Sequence, residues 1–256
     1  MPMPNPFSLE GRTALITGSS QGIGFSLARG LAAAGAAVIL NGRDTTKLEA
    51  AKATLEAEGH RIKTAAFDVT HGPAVREAID RIEREIGPID ILVNNAGIQR
   101  RAPLQDFAQE TWAELMRTNL DSVFLVGQAV ARHMIQRGRG KIINVCSVQS
   151  ELARPGIAPY AASKGALKML TKGMCTDWAP FGLQVNGLAP GYFETELTKP
   201  LVEDETFTAW LKGRTPARRW GTVEELNGAA VFLASAASDF VNGHILYVDG
   251  GITSCL

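Results

Sequence analysis

The chain of 256 residues predicts an α/β fold: a single doubly wound, Rossmann-type domain with a seven-stranded parallel sheet flanked by helices. Three observations predict it. Short apolar runs of strand length alternate with helical stretches along most of the chain. The first run ends in a glycine turn that opens directly into an alanine-rich helix. No linker, low-complexity tract or repeat breaks the alternation, and the length suffices to bury one sizeable core. Seven strands joined through helices imply right-handed crossovers, with the strands' carboxyl ends on one edge, where ligands bind in such sheets.

Thr13–Thr17 (TALIT) is the expected first strand, and Gly18-Ser-Ser-Gln-Gly22-Ile-Gly24 follows at once. The helix expected over residues 25–34 stops at Gly35. Glycines let the backbone close on a phosphate, and free N–H groups at the helix start meet its charge. Gly18, Ser20, Gln21, Ile23 and Gly24 are therefore candidate nucleotide contacts, in the spacing T-G-x-x-x-G-x-G instead of G-x-G-x-x-G. A second strand over residues 36–40 runs into Asn41-Gly42-Arg43. An acidic residue in this region would hold the ribose 2′-hydroxyl of NAD, whereas arginine suits the 2′-phosphate of NADP. Arg43 favours NADP, with NAD as a secondary cofactor. Asp44 is the expected N-cap of the next helix.

The third strand is expected over residues 61–67, with Asp68-Val69 at its carboxyl end. Asp68 is placed to accept the adenine amino group or to cap the helix that begins near His71. Strand four, residues 89–93, leads to Asn94-Asn95-Ala96-Gly97, small enough to admit a ring or ribose. Gln99-Arg100-Arg101 comes next, and one of these arginines is placed to meet an anionic substrate. In a long helix expected over residues 109–136, Asn119 is a poor helix former; its amide holds a water or is merely exposed.

The fifth strand, residues 141–146, ends at Ser147, and a loop broken by Pro155, Gly156 and Pro159 follows. A helix begins at Tyr160, so Tyr160 and Lys164 stand i and i+4 on one face. An ammonium beside a phenol favours the phenolate, bringing its pKa from about 10 toward the working range. Such a tyrosine exchanges protons near neutral pH, with Ser147 holding a substrate oxygen against it. Taken alone, Tyr-x-x-x-Lys is a common chance pattern. A sixth strand over residues 181–188 leads to Pro190-Gly191. Residues 192–220 lose the alternation and look like a mobile flap with short helices. A helix over 223–234 and a last strand over 244–248 complete the chain.

Lys+Arg 26 against Asp+Glu 26 leaves no net charge, which disfavours nucleic acid as a partner. Cys146, Cys175 and Cys255 are scattered, without the spacing of a disulfide framework or zinc site, and suit a reducing cytoplasm. No metal-ligand cluster, secretory leader or membrane span is legible.

Thr17-Gly18-x-x-x-Gly22-x-Gly24, Asn94-Asn95-Ala96-Gly97, Asn119, Ser147, Tyr160-x-x-x-Lys164 and Pro190-Gly191 together resemble the short-chain dehydrogenases/reductases along essentially the whole chain. Segments 98–104, 146–160 and 214–221 are similar to a branch of that family that interconverts D-gluconate and 5-keto-D-gluconate. The resemblance implies that Tyr160 is the acid/base, Lys164 the ribose ligand, Ser147 the holder of the reacting oxygen, and Asn119 the holder of a water linking Lys164 to solvent. It implies cofactor contacts at Asp68, Val69, Asn95, Ala96, Gly97, Pro190, Gly191, Phe193 and Thr195. Arg100, Gln149, Glu151 and Arg154 become candidates for the polyol and carboxylate, and relatives suggest a homotetramer. One departure is Gln21, where many NADP-using relatives carry a basic residue, so Arg43 is the main visible 2′-phosphate ligand.

Overall fold

The computed structural model describes residues 5–196 and 198–255. Its strands are β1 (Thr13–Ile16), β2 (Ala37–Gly42), β3 (Ile62–Ala66), β4 (Ile91–Asn94), β5 (Gly140–Val145), β6 (Leu183–Pro190) and β7 (Ile245–Val248). All pair in parallel, in the order β3-β2-β1-β4-β5-β6-β7. The order reverses between β1 and β4, which opens a crevice at their carboxyl ends.

Between the strands run α1 (Gly22–Ala33), α2 (Thr45–Ala57), α3 (Gly72–Glu85), α4 (Gln109–Met116), α5 (Ser122–Arg137) and α6 (Ala158–Trp178). Later come α7 (Lys199–Val202), α8 (Glu205–Arg214) and α9 (Asn227–Ala234). The strands are apolar on both faces because helices cover both. Leu15, Ile39, Leu92, Ile142 and Val185 pack with residues of α3, α5 and α6. The alternate positions Ile16, Val38, Leu40, Val93 and Ile143 pack with residues of α1, α2 and α9. Period-two alternation thus sorts neighbouring residues into two cores.

Several expected boundaries move. The first helix begins at Gly22 and not at residue 25, because the glycine turn itself supplies the first helical residues. The long helix is interrupted: Arg117–Asp121 form a π turn between α4 and α5. Asp44 caps α2 as expected, accepting from the Lys47 N–H at 3.1 Å. Asp68 does not cap α3. Its Oδ1 accepts from the Thr70 N–H and hydroxyl at 2.8 and 2.7 Å, and His71 Nδ1 caps the helix instead. The predicted flap contains α7 and α8 and packs around Leu211 and Trp220, both buried. Position 197 of that segment, and residues 1–4 of the stretch read for a leader, lie outside the described residues. Among the described residues, no helix is long and apolar enough to cross a membrane.

Candidate active site

The crevice between β1 and β4 is stitched by side chains the glycine motif places there. Thr17 Oγ1 accepts from the N–H groups of Asn95 and Ala96, each at 3.0 Å. Asn95 Nδ2 donates back to the carbonyls of Thr17 and Gly18, each at 2.9 Å. Gly18 has φ +60°, and a Cβ there would stand 2.9 Å from the Ala96 Cα. A side chain at Gly24 would fall on the Gly18 carbonyl and the Asn95 amide. These positions are glycine because two loops and a helix start meet without room for a side chain.

A cleft of about 540 Å³ opens from this cradle. It is lined by Gly18, Ser20, Gln21, Ile23, Gly24, Arg43, Asp68, Val69, Asn95, Ala96 and Gly97 at one end. Ser147, Tyr160, Lys164, Pro190, Gly191, Phe193 and Thr195 line the other. At the β2 end, Asn41 Nδ2 bonds the carbonyls of Ala65 and Phe67 at 3.0 and 3.2 Å, fixing where Arg43 emerges. The Arg43 side chain is 78% exposed, and Asp68 is 3.8 Å away. Burial opposes ionisation of Asp68, but its bonds from Thr70 and the Arg43 charge outweigh it and hold the carboxyl below its ordinary range. An exposed guanidinium, a glycine cradle and a helix N-terminus on one wall form a donor set that fits a phosphate-bearing dinucleotide.

At the other end, β5 brings Ser147 and α6 brings Tyr160 and Lys164. The Ser147 hydroxyl accepts from the Gln149 N–H at 3.1 Å and lines the same cleft as Tyr160. Pairing of β4 with β5 stops at Asn94 opposite Asn144, so Val145, still paired with Leu188 of β6, lies beyond the β4 ladder. Lys164 Nζ donates to the Val145 carbonyl at 2.7 Å and lies 5.8 Å from the Tyr160 ring centre. Burial pushes Tyr160 up to about 12, against the nearby Ser147 hydroxyl, which lowers it. Burial likewise pushes Lys164 down to about 8. The expected lowering of the phenol pKa is therefore not found: desolvation dominates, and the ammonium is aimed at a carbonyl.

Asn119 is fully buried in the π turn, which rules out the exposed reading. Its Oδ1 accepts from the Ile98 N–H at 2.8 Å, and its Nδ2 donates to the Ile98 carbonyl at 2.9 Å and to Ser163 Oγ at 3.3 Å. Ser163 Oγ in turn donates to the Tyr160 carbonyl at 2.7 Å. The loop after β4 is thus tied to the first turn of α6.

The four substrate candidates lie outside this lining. Arg100 is paired with Glu114 at 3.0 Å and turned to the surface. The Glu151 carboxylate accepts from Lys168 and from Tyr247 at 2.8 Å. Gln149 donates to the Tyr192 hydroxyl at 3.2 Å, and the Arg154 guanidinium lies 5.2 Å from the Phe207 ring centre. Sequence reasoning assigned no contact to Thr17, Asn41 or Tyr192. Thr17 carried a signal, since it is the hydroxyl residue immediately before Gly18; Tyr192 carried none beyond following Pro190-Gly191.

The short chain dehydrogenase family model matches residues 12–206. A gluconate 5-dehydrogenase of Gluconobacter oxydans is 65% identical over 256 residues, covering 100% of both chains. A 5-keto-D-gluconate 5-reductase of Escherichia coli is 58% identical over 250 residues, 98% of each. The crystal structure of a gluconate 5-dehydrogenase from Burkholderia cenocepacia in complex with NADP and tartrate superposes with TM-score 0.96 at 64% identity, covering 98% of each chain. With its parallel sheet, its glycine cradle and this match over most of its length, the chain belongs to the short-chain dehydrogenase family.

Proposed function

We propose that the protein is an NADP(H)-dependent oxidoreductase that interconverts D-gluconate and 5-keto-D-gluconate. The observation that carries the reading is one cleft lined by an exposed Arg43 at one end and by Ser147, Tyr160 and Lys164 at the other. The substrate follows from full-length relatives at 58 to 65% identity that act on this pair. When bound, NADP(H) supplies or accepts the hydride.

Gly18, Ser20, Gln21, Ile23, Gly24, Arg43, Asp68, Val69, Asn95, Ala96, Gly97, Pro190, Gly191, Phe193 and Thr195 would hold the cofactor, with Arg43 on the 2′-phosphate. In reduction, the substrate carbon gains the hydride and its oxygen gains the Tyr160 proton. A phenol at about 12 retains that proton at neutral pH and is ready to donate it to a developing alkoxide. Ser147 holds the same oxygen. Lys164 would hold the nicotinamide ribose hydroxyls and stabilise the phenolate left behind. Asn119 acts as a positioning residue through Ile98 and Ser163. In oxidation Tyr160 takes the proton back from the substrate hydroxyl.

The three free cysteines support a reducing, cytoplasmic setting. Exposed Phe124 on α5 and Met169 on α6 support assembly into a homotetramer.

The test is loss of NADPH absorbance with 5-keto-D-gluconate, 2-keto-D-gluconate, fructose and a 3-oxoacyl thioester, NADH being run in parallel. Turnover confined to 5-keto-D-gluconate with NADPH is expected. Turnover of a different carbonyl alone would overturn the substrate while leaving the family intact.

A further inference from the structure

We infer that Glu151 is a positioning residue for the reaction: tied to Lys168 and Tyr247, it sets Ser147 against Tyr160. The inference rests on the proposed proton transfer at Tyr160. The Glu151 Oε1 accepts from Lys168 Nζ and also from the Tyr247 hydroxyl at 2.8 Å. The partners come from different walls of the site. Glu151 follows the short turn Val148–Ser150 that Ser147 opens, Lys168 belongs to α6, and Tyr247 belongs to β7.

The turn is built on Ser147 itself. Its Oγ accepts from the Gln149 N–H at 3.1 Å, and its carbonyl accepts from the Ser150 N–H at 2.9 Å. The Glu151 and Leu152 N–H groups then donate to the Val148 carbonyl at 3.1 and 2.9 Å. A displacement of Glu151 is therefore carried back to Ser147 through a chain of short-range bonds. Beyond Leu152, residues 153–156 make no backbone hydrogen bond among the described residues. Side chains hold that end of the turn.

Two of these tethers run to α6. Ser150 Oγ donates to the Lys164 carbonyl at 2.9 Å. Lys168 lies one helical turn further, so Tyr160, Lys164 and Lys168 stand at i, i+4 and i+8 on one face. The tie from Glu151 thus ends on the face that carries the proton donor. Its other partner, Tyr247, lies opposite Ala189 of β6, and β6 runs on through Pro190-Gly191 to Tyr192. One carboxylate therefore fixes the Ser147 turn against the catalytic helix and against the edge of the sheet that leads into the flap. The Glu151 side chain is 41% exposed and that of Lys168 23%. An ion pair so placed adds little to stability, because water screens it and two long side chains lose freedom. Its effect lies in geometry. Ser147 and Tyr160 must reach one substrate oxygen together, and a shift of about 1 Å in such a group is enough to slow a reaction about 100-fold.

The experiment is a double-mutant cycle on kcat between Glu151→Leu and Ser147→Ala, with NADPH and 5-keto-D-gluconate. Each protein is first checked by circular dichroism, urea unfolding and NADPH fluorescence. Alone, Glu151→Leu should lower kcat about 30-fold while NADPH affinity and the urea midpoint stay near wild type. In the Ser147→Ala background the same substitution should cost less than about threefold, because the serine that Glu151 positions is gone. Glu151→Gln keeps an oxygen for both partners and should restore most of the loss. Tyr247→Phe keeps the ring, removes one of the two bonds, and should lower kcat by a smaller factor in the same non-additive way. A purely structural role would give equal losses in both serine backgrounds. Equal losses, or a Glu151→Leu kcat within about threefold of wild type, overturn the assignment. The cycle is repeated with 2-keto-D-gluconate, fructose and a 3-oxoacyl thioester. If wild type reduces one of these and not 5-keto-D-gluconate, the substrate proposal fails. A non-additive cycle on that carbonyl then still supports Glu151, and an additive one overturns it.

Discussion

The Lys164 ammonium is 5% exposed, donates to the Val145 carbonyl at 2.7 Å, and is pushed by burial down to about 8 from an ordinary 10.5. A base whose folded pKa is depressed weakens the fold wherever it must carry charge. That cost is fully present below about pH 8 and disappears above about 10.5. Lys164→Met removes the titration while keeping much of the volume. Between about pH 7 and pH 9.5, wild type should gain about 2 kcal/mol of stability relative to this variant, other groups cancelling in the difference. Urea unfolding at both pH values measures it; a pH-independent difference would mean that Lys164 is not held against its charge. A charge kept where desolvation opposes it is present for the ligand it meets and not for the fold. Tyr160 follows the same physics with opposite sign: burial favours its neutral phenol, the form that donates.

Two elements set the site's shape. β2 ends at Gly42 with its last turn pinned by Asn41 to β3, so Arg43 leaves the sheet at a fixed point on the cleft wall. Arg43→Asp replaces an exposed cation with an anion beside Asp68. The NADPH-to-NADH ratio of kcat/KM should then fall about 100-fold, the scale of a lost charge-assisted contact made worse by repulsion. An unchanged ratio would remove Arg43 from cofactor choice. The second element is the π turn at Arg117–Asp121, which turns Asn119 inward onto Ile98 and Ser163. An extra residue per turn has no side-chain signature of its own. The anomaly of an asparagine in mid-helix was its one trace in the sequence.

Across the whole molecule, strand number, parallel pairing and the ligand edge were readable because the sheet is covered on both faces and its central strands are largely apolar runs. The glycine turn and the Tyr160–Lys164 spacing were readable because each sits within a few consecutive residues. What was not readable depends on residues distant in sequence. Arg100 and Arg101 are indistinguishable neighbours until Glu114 is seen to pair with Arg100. Glu151 looked like a polar site residue until Lys168 and Tyr247 were seen to claim it. The sign of the Tyr160 shift was misjudged because adjacency to a lysine was visible in the spacing, while the burial of both groups was not.

All of these scales meet in one proton transfer, from the Tyr160 hydroxyl to the oxygen of the reduced carbonyl. The measurement is the rate of NADPH absorbance loss with saturating 5-keto-D-gluconate, for wild type and Tyr160→Phe, with NADPH affinity determined by fluorescence for both. The phenylalanine variant should bind NADPH as wild type does and lose about 1,000-fold in kcat, within the range attributed to a positioned general acid. A variant that keeps a tenth or more of the wild-type kcat would contradict Tyr160 as the proton donor.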